Sequence, residues 1–138
     1  MWDSMFKSVD LLQRGLSASW MRNAVIRNNI ANVETPGFKA SDVEFESLMA
    51  RALSDNTGFK GAKTHPGHRD IGSGYSDFST VVPRMIRRED TSMRMDENNV
   101  DIESENVKLA QNSLFYNTLV EKMNSELRRL NMAISETR

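Results

Sequence analysis

The only two histidines of this chain stand three residues apart, in Lys63-Thr64-His65-Pro66-Gly67-His68, with Asp70 two positions further on. Two imidazoles at that spacing can ligate a metal. Zinc, however, wants three or four protein ligands, and Asp70 is the one carboxylate close by. A turn with exposed imidazoles is the simpler reading. A second cluster, Arg84, Arg87, Arg88 and Arg94, could hold phosphate. Glu89, Asp90 and Asp96 interleave it, which fits a solvated face or a subunit contact better. No nucleophile elbow, phosphate loop, HExxH pair or Ser/His/Asp arrangement occurs. With no cysteine, disulfides, thiolate metal sites and cysteine nucleophiles are excluded. The net charge of −1 comes from 18 basic and 19 acidic residues, and the two signs balance to within one in each of 1–34, 35–98 and 99–138. That is not the field of a nucleic-acid binder. These residues lead us to expect no enzyme, no cofactor, no metal, no small-molecule substrate and no nucleic-acid partner.

What the chain does carry is two long apolar stripes. Trp2, Met5, Val9, Leu12, Leu16, Ser19, Asn23, Ile26, Ile30 and Val33 follow steps of three and four, the 3.5-residue repeat of helices that pack along a seam. Trp20, Met21 and Val25 widen that stripe, so more than one neighbour can pack on it. Gly15 lies in the helix interior at a cost of about 1 kcal/mol against alanine, which a close partner would offset. The C-terminal stripe is Ile102, Asn106, Leu109, Ser113, Tyr116, Val120, Met123, Leu127, Leu130 and Ile134. Glu103 and Glu105 lie early in it and Arg128 and Arg129 late, which suits a helix dipole.

Antiparallel pairing sets Leu16 against Val120 and Ile26 against Leu109. It brings Asn23 opposite Ser113 and Ser19 opposite Tyr116, a polar layer that would fix register. We therefore expect a mainly α chain, its long N- and C-terminal helices packed as an antiparallel coiled-coil-like pair. The segments would be 1–34 and 99–138 for the helices and 35–98 for an irregular centre with room for short β-strands, together one domain. Asp77–Ile86 reads as a short strand held to an edge or bend by Pro83, and Glu44–Leu53 as a short helix. The apolar side chains of one such hairpin barely offset the entropy of ordering its backbone. Its ends should fold stably only among other helices, which is a scaffold property.

Between stripe and centre lies a corner. Asn29 and Asn32 suit the conformations that close helices. Thr35 is pushed out of the α region by the following proline. Pro36-Gly37 suits the middle of a type II turn, because Gly37 accepts positive φ, and Phe38 can fold back as an anchor.

These residues resemble a known signature. Asn29-Ile30-Ala31-Asn32-Val33, then Thr35-Pro36-Gly37-Phe38-Lys39, is similar to the N-terminal motif of bacterial flagellar rod and hook proteins, and Asp42–Phe45 extends the match. Asn99-Val100-Asp101 with Glu103, and Asn112-Ser113-Leu114 with Tyr116, resemble the proximal-rod members of that family. Thr64 and His68 resemble a Thr-x-x-x-His element of the same group. The resemblance implies a structural subunit of the flagellar basal body, exported unfolded through the flagellar type III apparatus without a cleaved signal. Its place would be the cell envelope, in the periplasmic space where there is an outer membrane. Its partners would be itself, other rod subunits, ring and rod-base adaptor proteins and the export gate. Phe45-Glu46-Ser47-Leu48-Met49 has the Phe-x-x-x-apolar form implied for export recognition, although Phe45 and Met49 one helical turn apart also suit core packing. The export route would explain why Asp3, Lys7, Asp10 and Arg14 interrupt any apolar leader. Other classes remain: a cytoplasmic helical adaptor that dimerises, or a metal- or nucleic-acid-binding module spanning His65 to Arg94.

Overall fold

The computed structural model describes residues 2–55, 81–89 and 95–135. The elements run α1 (Trp2–Ala31), β1 (Ser41–Glu44), α2 (Glu46–Asp55), β2 (Arg84–Arg87) and α3 (Ile102–Ser135). His65, His68, Asp70 and Arg94 lie outside the described residues, as do 77–80 of the expected strand.

α1 and α3 are the long helices that the stripes require, and they pack antiparallel. Gly15 meets Leu119, Ser19 meets Asn112, and Asn29 meets Glu105, so partner numbers fall along one helix as they rise along the other. Gly15 is buried, and a Cβ on it would lie 3.3 Å from Leu119 Cδ1. The missing side chain lets α3 approach closely. No described helix is long and apolar enough to cross a membrane.

The centre supplies a hairpin-like pair. β1 and β2 are antiparallel, with Ser41 opposite Arg87, Asp42 opposite Ile86, Val43 opposite Met85 and Glu44 opposite Arg84. β2 starts directly after Pro83, as a residue without an N–H permits. β1, its partner, carries no pattern of its own in the sequence. α2 follows β1 at once. The Phe45 carbonyl accepts the Met49 N–H at 2.8 Å, and Ser47 donates to Glu44 Oε1 at 2.7 Å.

Among the described residues, an apolar cluster sits where α2 meets α1: Ala18, Phe45 and Met49, with Leu11 and Val81 packed on it. Arg14 fastens the segment before β2 to α1 by donating to the Val81 carbonyl at 3.1 Å. Arg22 donates to both oxygens of Glu46, at 2.7 and 2.6 Å, and so holds the start of α2.

Gly15 gives a test of the close approach. Gly15→Ala adds helix propensity worth about 1 kcal/mol against a contact with a flexible leucine end, so stability should change by less than about 1 kcal/mol. Gly15→Leu should destabilise by ~1–3 kcal/mol, because the larger side chain forces the helices apart. Urea unfolding at fixed protein concentration, followed by circular dichroism, reads both.

Candidate assembly interface

α1 ends in a corner whose carbonyls need donors, since the last turn of a helix has none of its own. Asn32 N–H bonds the Asn28 and Asn29 carbonyls, and the Asn32 side chain donates back to Asn28 O at 2.8 Å. The Thr35 carbonyl accepts Phe38 N–H at 3.3 Å, with Gly37 at φ +70°. This is the type II turn that Pro36-Gly37 suits.

The start of α3 is tied into that corner. The amide of Asn98, 0 % exposed, donates to three carbonyls, Asn32 and Val33 at 3.1 Å and Thr35 at 2.8 Å. Its oxygen accepts Val100 N–H at 2.8 Å. Gly37 N–H reaches the Asp96 carbonyl at 2.8 Å, and Lys39 donates to the Glu97 carbonyl at 2.8 Å. Asn99 bridges the two strands just beyond the Ser41–Arg87 pair. It accepts from Ala40 N–H at 2.6 Å and donates to Arg88 O at 2.8 Å. Asp101 then caps α3, taking Glu103 N–H on its side chain at 3.0 Å. Asn29, Asn32, Thr35–Phe38 and Asn99–Asp101 thus meet in one place, although some sixty residues separate the two groups in the chain.

Along the helices the register differs from the one expected. Ser19 pairs with Asn112 rather than Tyr116: its hydroxyl donates to Asn112 Oδ1 at 3.0 Å, and Asn112 returns a bond to the Ser19 carbonyl at 2.9 Å. Asn23 and Ser113 share no hydrogen bond among the described residues; the Ser113 hydroxyl donates to Leu109 O in its own helix at 2.9 Å. Asn112 can both donate and accept, so it takes the buried position. Seven residues earlier, Glu105 is also buried. It accepts from Asn29 at 3.0 Å and pairs with Lys108. The line facing α1 is therefore Glu105, Asn112 and Leu119.

That turn of α3 decides where the other seam residues lie. On α1, Ile26 is buried, while Val9, Leu12, Leu16, Asn23 and Ile30 are half-buried. On α3, Leu109, Val120, Met123 and Leu130 are half-buried, and Ser113, Tyr116 and Leu127 are exposed. Asn23, Ser113 and Tyr116 line one groove together with the exposed Trp20. Phe45 and Met49 are buried in the core. Sequence reasoning missed Asn98, Glu105 and Asn112 as structural centres. The Asn98-Asn99 pair just before a helix start was the available signal for the first. Nothing in the stripe marks the other two, since a polar residue beside an apolar seam ordinarily faces water.

Arg88, just after β2, forms an ion pair with Asp42 of β1. Burial pushes the Asp42 carboxyl up. The Arg88 hydrogen bond, the Val43 N–H at 2.8 Å and the charges of Arg88 and Lys108 outweigh it and hold its pKa below the ordinary 3.8.

Residues 10–39, which contain the corner, match the family described as Flagella basal body rod protein. Over 128 residues, 93% of each chain, this protein is 34% identical to the flagellar basal body rod protein FlgB of Bacillus subtilis (strain 168). It is 32% identical over 132 residues to FlgB of Borreliella burgdorferi, covering 93% of this chain and 96% of that one. It is 34% identical over 131 residues, 95% of each chain, to FlgB of Aeromonas hydrophila.

Two outcomes test the knot. Asn98→Asp keeps the size but replaces the donor by an acceptor facing three carbonyls. It should lower the urea midpoint more than Asn98→Ala, which itself costs ~1–3 kcal/mol by stranding buried polar groups. For Asp42, a lowered native pKa means that its contribution is fully present above pH 3.8 and is lost as pH falls through the native value. The stability advantage of the natural chain over Asp42→Asn should therefore hold at neutral pH and vanish on acidification, measured as urea midpoints across a pH series.

Proposed function

This chain belongs to the flagellar basal body rod proteins, structural subunits of the rod in the cell envelope, and we propose that α1 and α3 are its principal assembly surfaces, with α3 carrying the larger share. The observation behind this is an inversion of burial along α3. Its buried residues are Glu105 and Asn112, at 3 % and 4 % exposure. Leu114 is 70 % exposed, and Val107, Leu127, Met132 and Ile134 also face solvent. On α1, Phe6 and Trp20 do the same. A surface this apolar along a helix marks a contact site, and in a rod its natural cover is the helices of neighbouring subunits. The half-buried seam residues Leu12, Leu16, Val120, Met123 and Leu130 would be completed by the same neighbours. The corner from Asn32 to Phe38 sets the angle at which the centre leaves the helical pair.

The likeness of Asn99-Val100-Asp101 and Asn112-Ser113-Leu114 to proximal-rod members supports a position at the proximal end of the rod. That likeness also supports contacts with other rod subunits, with ring and rod-base adaptor proteins, and with the flagellar export gate. Export through the type III apparatus to the periplasmic side would deliver an unfolded chain. Phe45 and Met49, buried once the chain has folded, would be accessible to the gate only in that state.

The test must separate assembly from folding. Ile26 is 3 % exposed inside the subunit, so a charge there would unfold the chain itself. Leu114→Asp and Leu127→Asp alter exposed positions and should leave the helicity of the dilute chain unchanged. The natural chain should gain helix as its concentration rises, by circular dichroism, and the Leu114→Asp/Leu127→Asp chain should not. Cells carrying the double variant should make the protein but lose motility. Full motility would overturn the assignment of this face.

A further inference from the structure

The two outer edges of the small sheet are treated in opposite ways. In this register Ser41 and Val43 point their N–H and C=O away from β2, and Met85 and Arg87 point theirs away from β1. The β1 edge is closed by side chains. Asn29 donates to Ser41 O at 2.8 Å and accepts Ser41 N–H at 3.0 Å. Arg22 donates to Val43 O at 3.4 Å, and Asp42 accepts Val43 N–H at 2.8 Å. On the β2 edge, no group among the described residues meets the outward N–H or C=O of Met85 or Arg87. All four residues of β2 are exposed, Met85 at 61 %. Arg84 and Arg87 have no carboxylate partner among the described residues, whereas Arg88 has Asp42.

We propose that the β2 edge is a docking site for an extended strand of another protein, bearing the pattern acid–apolar–apolar–acid. An open edge with exposed side chains recruits a strand through main-chain hydrogen bonds, and its side chains choose which one. Carboxylates opposite Arg84 and Arg87 pair with the two free guanidiniums. Apolar residues opposite Met85 and Ile86 cover the two exposed side chains between them. The faces agree with this. Ile86 lies on the side of the sheet that lines the groove with Phe115 of α3, and Met85 lies on the other. A second copy of this chain is the wrong occupant, because β2 against β2 with the outward-facing Met85 and Arg87 opposite each other sets Arg84 opposite Arg88, and like charges directly opposite are unfavourable.

The experiment uses the full chain at a dilution where it is monomeric, with blocked peptides Thr-Glu-Val-Val-Glu-Thr and Thr-Lys-Val-Val-Lys-Thr as probes. The glutamate peptide should bind at least tenfold more tightly at low salt and slow hydrogen exchange at the Met85 and Arg87 amides. Arg84→Glu/Arg87→Glu should reverse the preference between the peptides. Arg87→Pro removes an outward N–H without touching the β1–β2 ladder, and should abolish binding while the circular dichroism spectrum stays the same. Equal affinity for the two peptides, or no binding of either, overturns the proposal. So does protection of those amides in the free chain, which would mean that its own residues already cover the edge. Dimerisation abolished by Arg87→Pro would make a second copy the occupant and overturn it too.

Discussion

One buried side-chain amide, that of Asn98, joins the end of one long helix to the start of the other. The corner after α1 presents backbone carbonyls that face protein rather than water. Buried carbonyls must find donors, and the Asn98 amide group meets three of them while its oxygen fixes Val100. Because Asn98 lies just before the Asp101 cap, this contact sets where α3 begins against where α1 ends. The antiparallel pair, and everything the two helices present to neighbours, follows from that placement.

The same device recurs around the knot. An asparagine side chain carries one carbonyl and one N–H group, the inventory of a peptide bond. Asn29 acts as a strand beside β1, giving and receiving a bond at Ser41. Asn99 fills the gap between Ala40 and Arg88, where the ladder opens. Two amides thus stand in for backbone that the short sheet lacks. A four-residue strand pair on its own would be marginal; tied by these amides, it has a fixed position on α1 and α3. The free outer edge of β2 contrasts with all of this, since no such amide attends it among the described residues.

Burial on α3 runs opposite to the habit of a soluble helix. Glu105 and Asn112 face inward, each with its partners, and large apolar side chains face out. Polar contacts between the helices fix register at some cost in stability, and the exposed apolar side chains supply the driving force for contacts beyond the subunit. The division suits a part built for a rod. Within one subunit the geometry is set by hydrogen bonds, which are directional. The surface left for neighbouring subunits is apolar, and apolar contacts tolerate the unequal surroundings of an assembly.

The long helices, the corner and the family were legible in the residues, because each rests on local rules. A 3.5-residue repeat, a proline followed by glycine, and glutamates early in a helix act within a few positions of themselves. The resemblance drew on the same short runs. β1 was not legible, since Ser41–Glu44 has no alternating pattern and is a strand only because Asn29 and β2 complete it. The facing of α3 was not legible either. The apolar period names a stripe, and the line Glu105–Asn112–Leu119 displaced it because Asn29 and Ser19, 76 and 93 residues away in the chain, offer Glu105 and Asn112 their partners. Sequence alone determined which segments would be helical and where the chain must turn, since those are costs of local backbone geometry. Only the tertiary structure decided which side of each helix is inside, because a buried polar group is tolerated only where a distant partner meets it.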